Sequence, residues 1–83
     1  MIRVTFFTKP DCTLCQAAWF VIERVRGAIR FETEVVDISA PGQEQWFDAY
    51  RNDIPVVHVN GKDVFRHHVD ERTLRELLGR LDD

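Results

Sequence analysis

The chain has 83 residues and a mass of 9.7 kDa, 45% of them hydrophobic and 30% charged, with a formal net charge of −3. A chain this short buries only about 60 to 65 percent of its unfolded surface, so it is expected to hold one core and one domain over 1–83. A net negative charge argues against nucleic-acid binding, which needs a clustered basic surface, and the longest apolar run, Ala17 to Ile22, falls far short of the roughly 20 residues of a membrane span. The segment Met1 to Lys9 has too short an apolar stretch for a secretory signal and lacks a small-residue cleavage site, so a cytoplasmic location is expected.

Ile2, Val4 and Phe6 alternate with Arg3, Thr5 and Phe7, which predicts a strand, apolar on both faces near its end and therefore central. Thr8-Lys9-Pro10-Asp11 breaks that pattern. Leu14, Ala18, Val21 and Val25 then recur at helical spacing, widened by Ala17 and Ile22, which predicts a helix ending near Gly27. Phe31 to Ile38, with Glu32 and Glu34 interleaved among apolar residues, reads as an edge strand. Trp46, Phe47 and Tyr50 predict a short amphipathic helix that stops around Asn52, ahead of Pro55. Val56–Val59 and Lys62–Phe65 flank Asn60-Gly61, a hairpin signal, because that dipeptide tolerates the positive φ of a two-residue turn. Asp70 caps a last helix with Leu74, Leu77, Leu78 and Leu81 on one face and with Glu71–Arg75 and Glu76–Arg80 pairs.

The order β-α-β-α-β-β-α implies an α/β fold with a four-stranded mixed sheet, two parallel strands followed by an antiparallel hairpin. The first strand delivers its carboxyl end to Cys12-Thr13-Leu14-Cys15, a C-x-x-C at the start of a helix. There the sulfur of Cys12 can turn toward unpaired amides of the first turn, which favour a thiolate, and Lys9 adds a positive charge if its ammonium folds over the site. Cys15 sits one turn further in, more shielded yet within disulfide reach. The first cysteine is expected to attack and the second to resolve.

Thr8-Lys9-Pro10-Asp11-Cys12-Thr13-Leu14-Cys15, with Ile54-Pro55-Val56 and Asn60-Gly61-Lys62 downstream, resembles a glutaredoxin-like member of the thioredoxin-fold superfamily. The resemblance implies a thioredoxin-like fold and thiol-disulfide exchange on protein or small-molecule disulfides. It implies Cys12 as nucleophile, Cys15 as resolving thiol and a cis proline at Pro55 bordering the site. Lys9, Thr13, Leu14, Ile54 and Pro55 are then the expected substrate-binding residues, with the backbone of Ile54 open to an extended substrate. No bound cofactor or metal is implied. The electrons would come from glutathione or from a thioredoxin-type reductase, and the chain is expected to work as a monomer.

The sequence departs from the family pattern at two places. Where typical glutaredoxins end the last strand with Gly-Gly, this chain has Phe65-Arg66-His67-His68-Val69, bulkier and longer, which predicts weakened glutathione use with Arg66 to Asp70 beside Cys12. The dipeptide between the cysteines is Thr-Leu in place of Pro-Tyr, and with both departures the chain resembles the short glutaredoxin-like subgroup. Two other readings stand beside the oxidoreductase. One is a metal or iron-sulfur carrier using Cys12 and Cys15 with His58, His67 or His68. The other is a non-catalytic interaction module docking through aromatics, among which Trp19 falls off the helical stripe while Phe20, Trp46, Phe47 and Tyr50 are expected in the core.

Overall fold

The computed structural model describes residues 1–82, so Asp83, the last residue of the expected domain, lies outside the described residues. The elements follow the expected order: β1 (Arg3–Thr8), α1 (Thr13–Arg26), β2 (Glu32–Asp37), α2 (Glu44–Tyr50), β3 (Val56–Val59), β4 (Lys62–Arg66) and α3 (Glu71–Leu81). They form a four-stranded mixed sheet of order β2-β1-β3-β4, with β1 parallel to β2 and antiparallel to β3. Val4, Phe6 and Phe7 of β1 are almost free of solvent, and burial on both faces is what places this strand inside the sheet. β2 is an edge, as its interleaved glutamates predict.

The alternation of β1 sorts the helices. Phe6 meets Trp19 of α1 with ring centroids 5.2 Å apart, whereas Phe7 meets Trp46 and Tyr50 of α2 at 4.9 and 5.1 Å. α1 and α3 share the Phe6 face, joined at their edges by an Arg24–Glu71 ion pair of 3.2 Å. Between them and the sheet lie Ile22, Leu74 and Leu78, fully buried and each contributing about 1.5–3 kcal/mol of hydrophobic stabilisation. Among the described residues no helix is long and apolar enough to cross a membrane.

The phase of α1 differs from the expected stripe. Its buried residues are Cys15, Ala18, Ile22 and Val25, while Leu14 is 56% exposed and Val21 half-buried. Apolar residues run without interruption from Ala17 to Ile22, so two stripes one position apart satisfy the same periodicity, and packing on the sheet selects the one that turns Cys15 inward. The same rotation corrects two aromatics. Trp19 is half-buried against Phe6, and Phe20 points outward with the Arg24 guanidinium 5.8 Å from its ring. Trp46, Phe47 and Tyr50 pack against the core as expected.

The hairpin turn has Asn60 at φ 53° and Gly61 at φ 82°, the conformation that Asn-Gly adopts with least strain. Asn60 also ties the turn to β1: its amide donates to the Arg3 carbonyl at 2.8 Å, and its side-chain oxygen accepts from the Arg3 amide at 3.0 Å. At the start of α3 the Asp70 carboxylate accepts from the Thr73 amide at 2.9 Å, and the hydrogen bonds from Thr73 hold its pKa below the ordinary carboxylate value. Glu71 pairs with Arg75 as expected, but Glu76 pairs back to Arg72 and not forward to Arg80.

Candidate functional site

The site collects at one end of the sheet because Phe7 pairs with Val56: the loop leaving β1 and the loop entering β3 emerge side by side. The first loop carries Asp11 at φ 61°, a left-handed conformation that Asp tolerates better than most side chains. Cys12 follows at φ −106° and ψ 105°, extended, and serves as the N-cap of α1. Its sulfur accepts a hydrogen bond from the Cys15 amide at 3.1 Å and its carbonyl accepts from Gln16 at 3.1 Å. A cysteine thereby takes the role usual for Ser, Thr, Asp or Asn, because the first turn offers donors with no partner inside the helix.

Cys12 and Cys15 are joined as a disulfide with Cα atoms 5.2 Å apart. Cys12 is half-buried and Cys15 is 3% exposed, so one sulfur borders solvent while the other belongs to the core. Thr13 and Leu14, the residues between them, both stand exposed beside Cys12. Lys9 is exposed on the loop, and among the described residues no carboxylate pairs with its ammonium.

The second loop holds the Ile54-Pro55 peptide bond in the cis form. Ile54 is 7% exposed and the ring of Pro55 is fully buried. Among the described residues, the N–H and C=O of Ile54 have no backbone partner. The carbonyls on either side of Ile54 are occupied: the amide of His67, itself at φ 73°, donates to Asp53 at 3.1 Å and to Pro55 at 2.9 Å. The start of the segment Arg66 to Asp70 therefore lies on the Pro55 loop.

The sequence places Arg66 beside Cys12 as part of the bulk that replaces Gly-Gly; in the structure its guanidinium has specific partners on the Pro55 side. Its guanidinium reaches Asp53 at 2.7 Å and Asp63 at 2.6 and 3.0 Å, and lies 5.1 Å from the Tyr50 ring centroid. The Asp63 hydrogen bond, supported by the charges of Asp63 and Asp53, raises its pKa further. A β-bulge brings this about. Beyond Val59↔Lys62 and His58↔Asp63 the register shifts, leaving Val64 as the extra residue, so that Phe65 opposes Val57 and Arg66 opposes Val56. Val56 shares the Phe7 face with α2, and Arg66 is thereby carried over Tyr50.

Tyr50 in turn is hydrogen-bonded to His58 at 3.0 Å. Burial lowers the His58 pKa, Asp63 opposes that shift and Arg66 adds to it. His58 belongs to this aromatic layer. Among the described residues no group of three or more His, Cys, Asp or Glu is placed to hold a metal ion.

A parallel βαβ unit, an antiparallel hairpin, a closing helix and a helix-capping C-x-x-C facing a cis-proline loop define a thioredoxin-fold domain with a dithiol site. Solved structures agree on the fold. Protein Ne2328 from Nitrosomonas europaea superposes with a TM-score of 0.78 at 20% identity, over 93% of this chain and 91% of that one. Thioredoxin O2 from Arabidopsis thaliana, in the oxidised state, superposes with a TM-score of 0.72 at 20% identity, over all of this chain and 76% of that one. The family model described as "Glutaredoxin-like domain (DUF836)" matches residues 3–79, and the chain belongs to that family. The "Glutaredoxin-like protein YDR286C homolog" of Dictyostelium discoideum is 39% identical over 77 residues, covering 88% of this chain and 71% of the relative.

Proposed function

We propose that the chain is a thiol-disulfide oxidoreductase working through a reversible Cys12–Cys15 disulfide. The observation that carries this reading is the asymmetry of the pair: the Cys12 sulfur borders solvent at the head of α1 with the Cys15 amide aimed at it, and Cys15 is buried one turn away. A helix-terminal amide favours the thiolate over the thiol, and the thiolate is the nucleophile.

In the reduced form the Cys12 thiolate attacks one sulfur of a protein or small-molecule disulfide. A Cys12–substrate bond forms, the substrate S–S bond breaks, and the displaced thiolate leaves and takes a proton from water. Cys15, having lost its own proton, then attacks the Cys12 sulfur. The Cys12–Cys15 disulfide forms and the second substrate thiolate departs, so two electrons pass to the substrate. Thr13 and Leu14 flank the attacking sulfur, and the open N–H and C=O of Ile54 suit an extended substrate segment laid beside Pro55. Lys9, exposed on the loop leaving β1, is read as meeting the substrate from that side. A reducing compartment such as the cytoplasm suits a pair that must return to the dithiol.

The dithiol is regenerated by glutathione or by a thioredoxin-type reductase. Turnover of a model disulfide, measured with glutathione and glutathione reductase and again with an NADPH-driven thioredoxin reductase, tests both activity and donor. Activity in either system that vanishes in Cys12→Ser supports the reading. No turnover in either system overturns it.

A further inference from the structure

We propose that Arg66 and Asp53 are a positioning pair for this exchange: the guanidinium, fixed on β4, holds the Asp53–Pro55 loop where a substrate segment must lie over Cys12. The inference rests on the oxidoreductase reading and adds to it two residues that touch neither sulfur.

Asp53 is the residue immediately before Ile54, and its chain is held at three points by the end of β4. Its carboxylate accepts from Arg66 at 2.7 Å, its carbonyl accepts from the His67 amide at 3.1 Å, and the same amide reaches across to the Pro55 carbonyl at 2.9 Å. His67 Nε2 stands 3.6 Å from the other Asp53 oxygen. The guanidinium is fixed from behind. Two of its nitrogens donate to Asp63, on its own strand, and its central carbon lies over the Tyr50 ring. A planar fork held by a second carboxylate loses little further freedom when it binds Asp53, which separates this contact from an isolated surface ion pair.

The geometry matters because the loop has one free backbone stretch, that of Ile54, between two tethered carbonyls. A substrate strand that pairs with Ile54 meets the Cys12 sulfur in a productive line only if that stretch is stationary. Displacements of about 1 Å at a positioned group cost on the order of 100-fold in favourable cases, so a partly loosened loop gives a smaller but measurable loss. The loss falls on capture of extended substrates, since Arg66 contacts no reacting atom.

The test uses the full chain and the variants Asp53→Asn, Arg66→Lys and Arg66→Gln, with Arg75→Gln as a control that removes an ion pair on α3. Insulin disulfide and a small symmetrical disulfide serve as substrates, and alkylation of reduced Cys12 is followed in parallel. The expected result is a rise in KM for insulin of about five- to tenfold in Asp53→Asn and Arg66→Gln, with kcat and the alkylation rate little changed. Arg66→Lys should recover part of the loss, the small disulfide should be nearly indifferent, and amide exchange at His67 should quicken in Asp53→Asn. Asp53→Asn keeps the side chain's shape, so it carries the test if Arg66→Gln fails to fold. An unchanged insulin KM in Asp53→Asn, or an equal rise in Arg75→Gln, overturns the positioning role while wild-type turnover persists. Absence of wild-type turnover overturns the oxidoreductase reading itself and is seen before any variant is compared.

Discussion

The amide of Cys15 donates to the sulfur of Cys12 across 3.1 Å, so the residue proposed to resolve the mixed disulfide also orients the sulfur proposed to attack. The two roles use different atoms. Truncating the Cys15 thiol leaves the amide in place, and a Cys15→Ser chain should keep a reactive Cys12.

In the reduced protein, iodoacetamide should therefore label Cys12 first and label it quickly at pH 7, where a free thiol of pKa about 8.5 is only a few percent ionised. Cys15→Ser should accumulate Cys12-linked mixed disulfides, and Cys12→Ser should form none. Mass mapping of the labelled peptide decides the order; equal labelling of both sulfurs would refute the assigned roles.

His58 makes stability depend on pH with a definite sign. Burial lowers its folded pKa below 6.5, so the unfolded chain binds the proton more readily. Its contribution is complete above about pH 6.5 and declines as pH falls from there to the lower folded value. Urea midpoints of wild type should therefore drop between pH 7.5 and pH 5 more than those of His58→Gln. Parallel curves for the two proteins would remove His58 from this dependence.

The rotation of α1 predicts unequal costs for neighbouring large residues. Ile22→Ala should destabilise by roughly 2–5 kcal/mol, because Ile22 is fully buried between helix and sheet. Phe20→Ala should stay within about 0.5 kcal/mol, the range of an exposed surface change. Denaturant unfolding of both variants measures the contrast, and a Phe20 cost matching that of Ile22 would contradict its outward position.

Gly61 lies at φ 82° in open space, so a substituent there meets no neighbour and only the backbone objects. Gly61→Ala should cost about 1–2 kcal/mol, the penalty of left-handed backbone for an L residue. Thermal unfolding should detect that loss, with disulfide turnover at low temperature unaltered.

What could be read from residues alone follows from which interactions are local. Asn60-Gly61 and Asp70 announce a turn and a cap within a few residues, and the structure has both. The C-x-x-C at a helix start is local in the same sense, and Cys12 stands at the N-cap of α1. The phase of α1 was not, since Leu14 and Cys15 both fit an apolar stripe and only the sheet decides between them. Nor was the pairing of Glu76, which has arginines at both i−4 and i+4. Arg66 over Tyr50 depends on the bulge at Val64; an unbulged hairpin from Asn60-Gly61 would set Phe65 opposite Val56 and send Arg66 past the sheet.

The outer edge of β2 has its own consequence. Glu32 and Glu34 sit on the strand whose far side pairs with no other strand among the described residues, and of the two it is Glu34 that forms an ion pair, with Arg3 at 3.8 Å. A second copy approaching to extend the sheet through that edge would bring carboxylates against carboxylates at strand spacing, where like charges repel. The repulsion weakens as added salt shortens the screening length, or as acid protonates the glutamates. Concentrated stocks are thus best kept at neutral pH and modest ionic strength, the conditions in which β2 most strongly resists pairing with the β2 of a second copy.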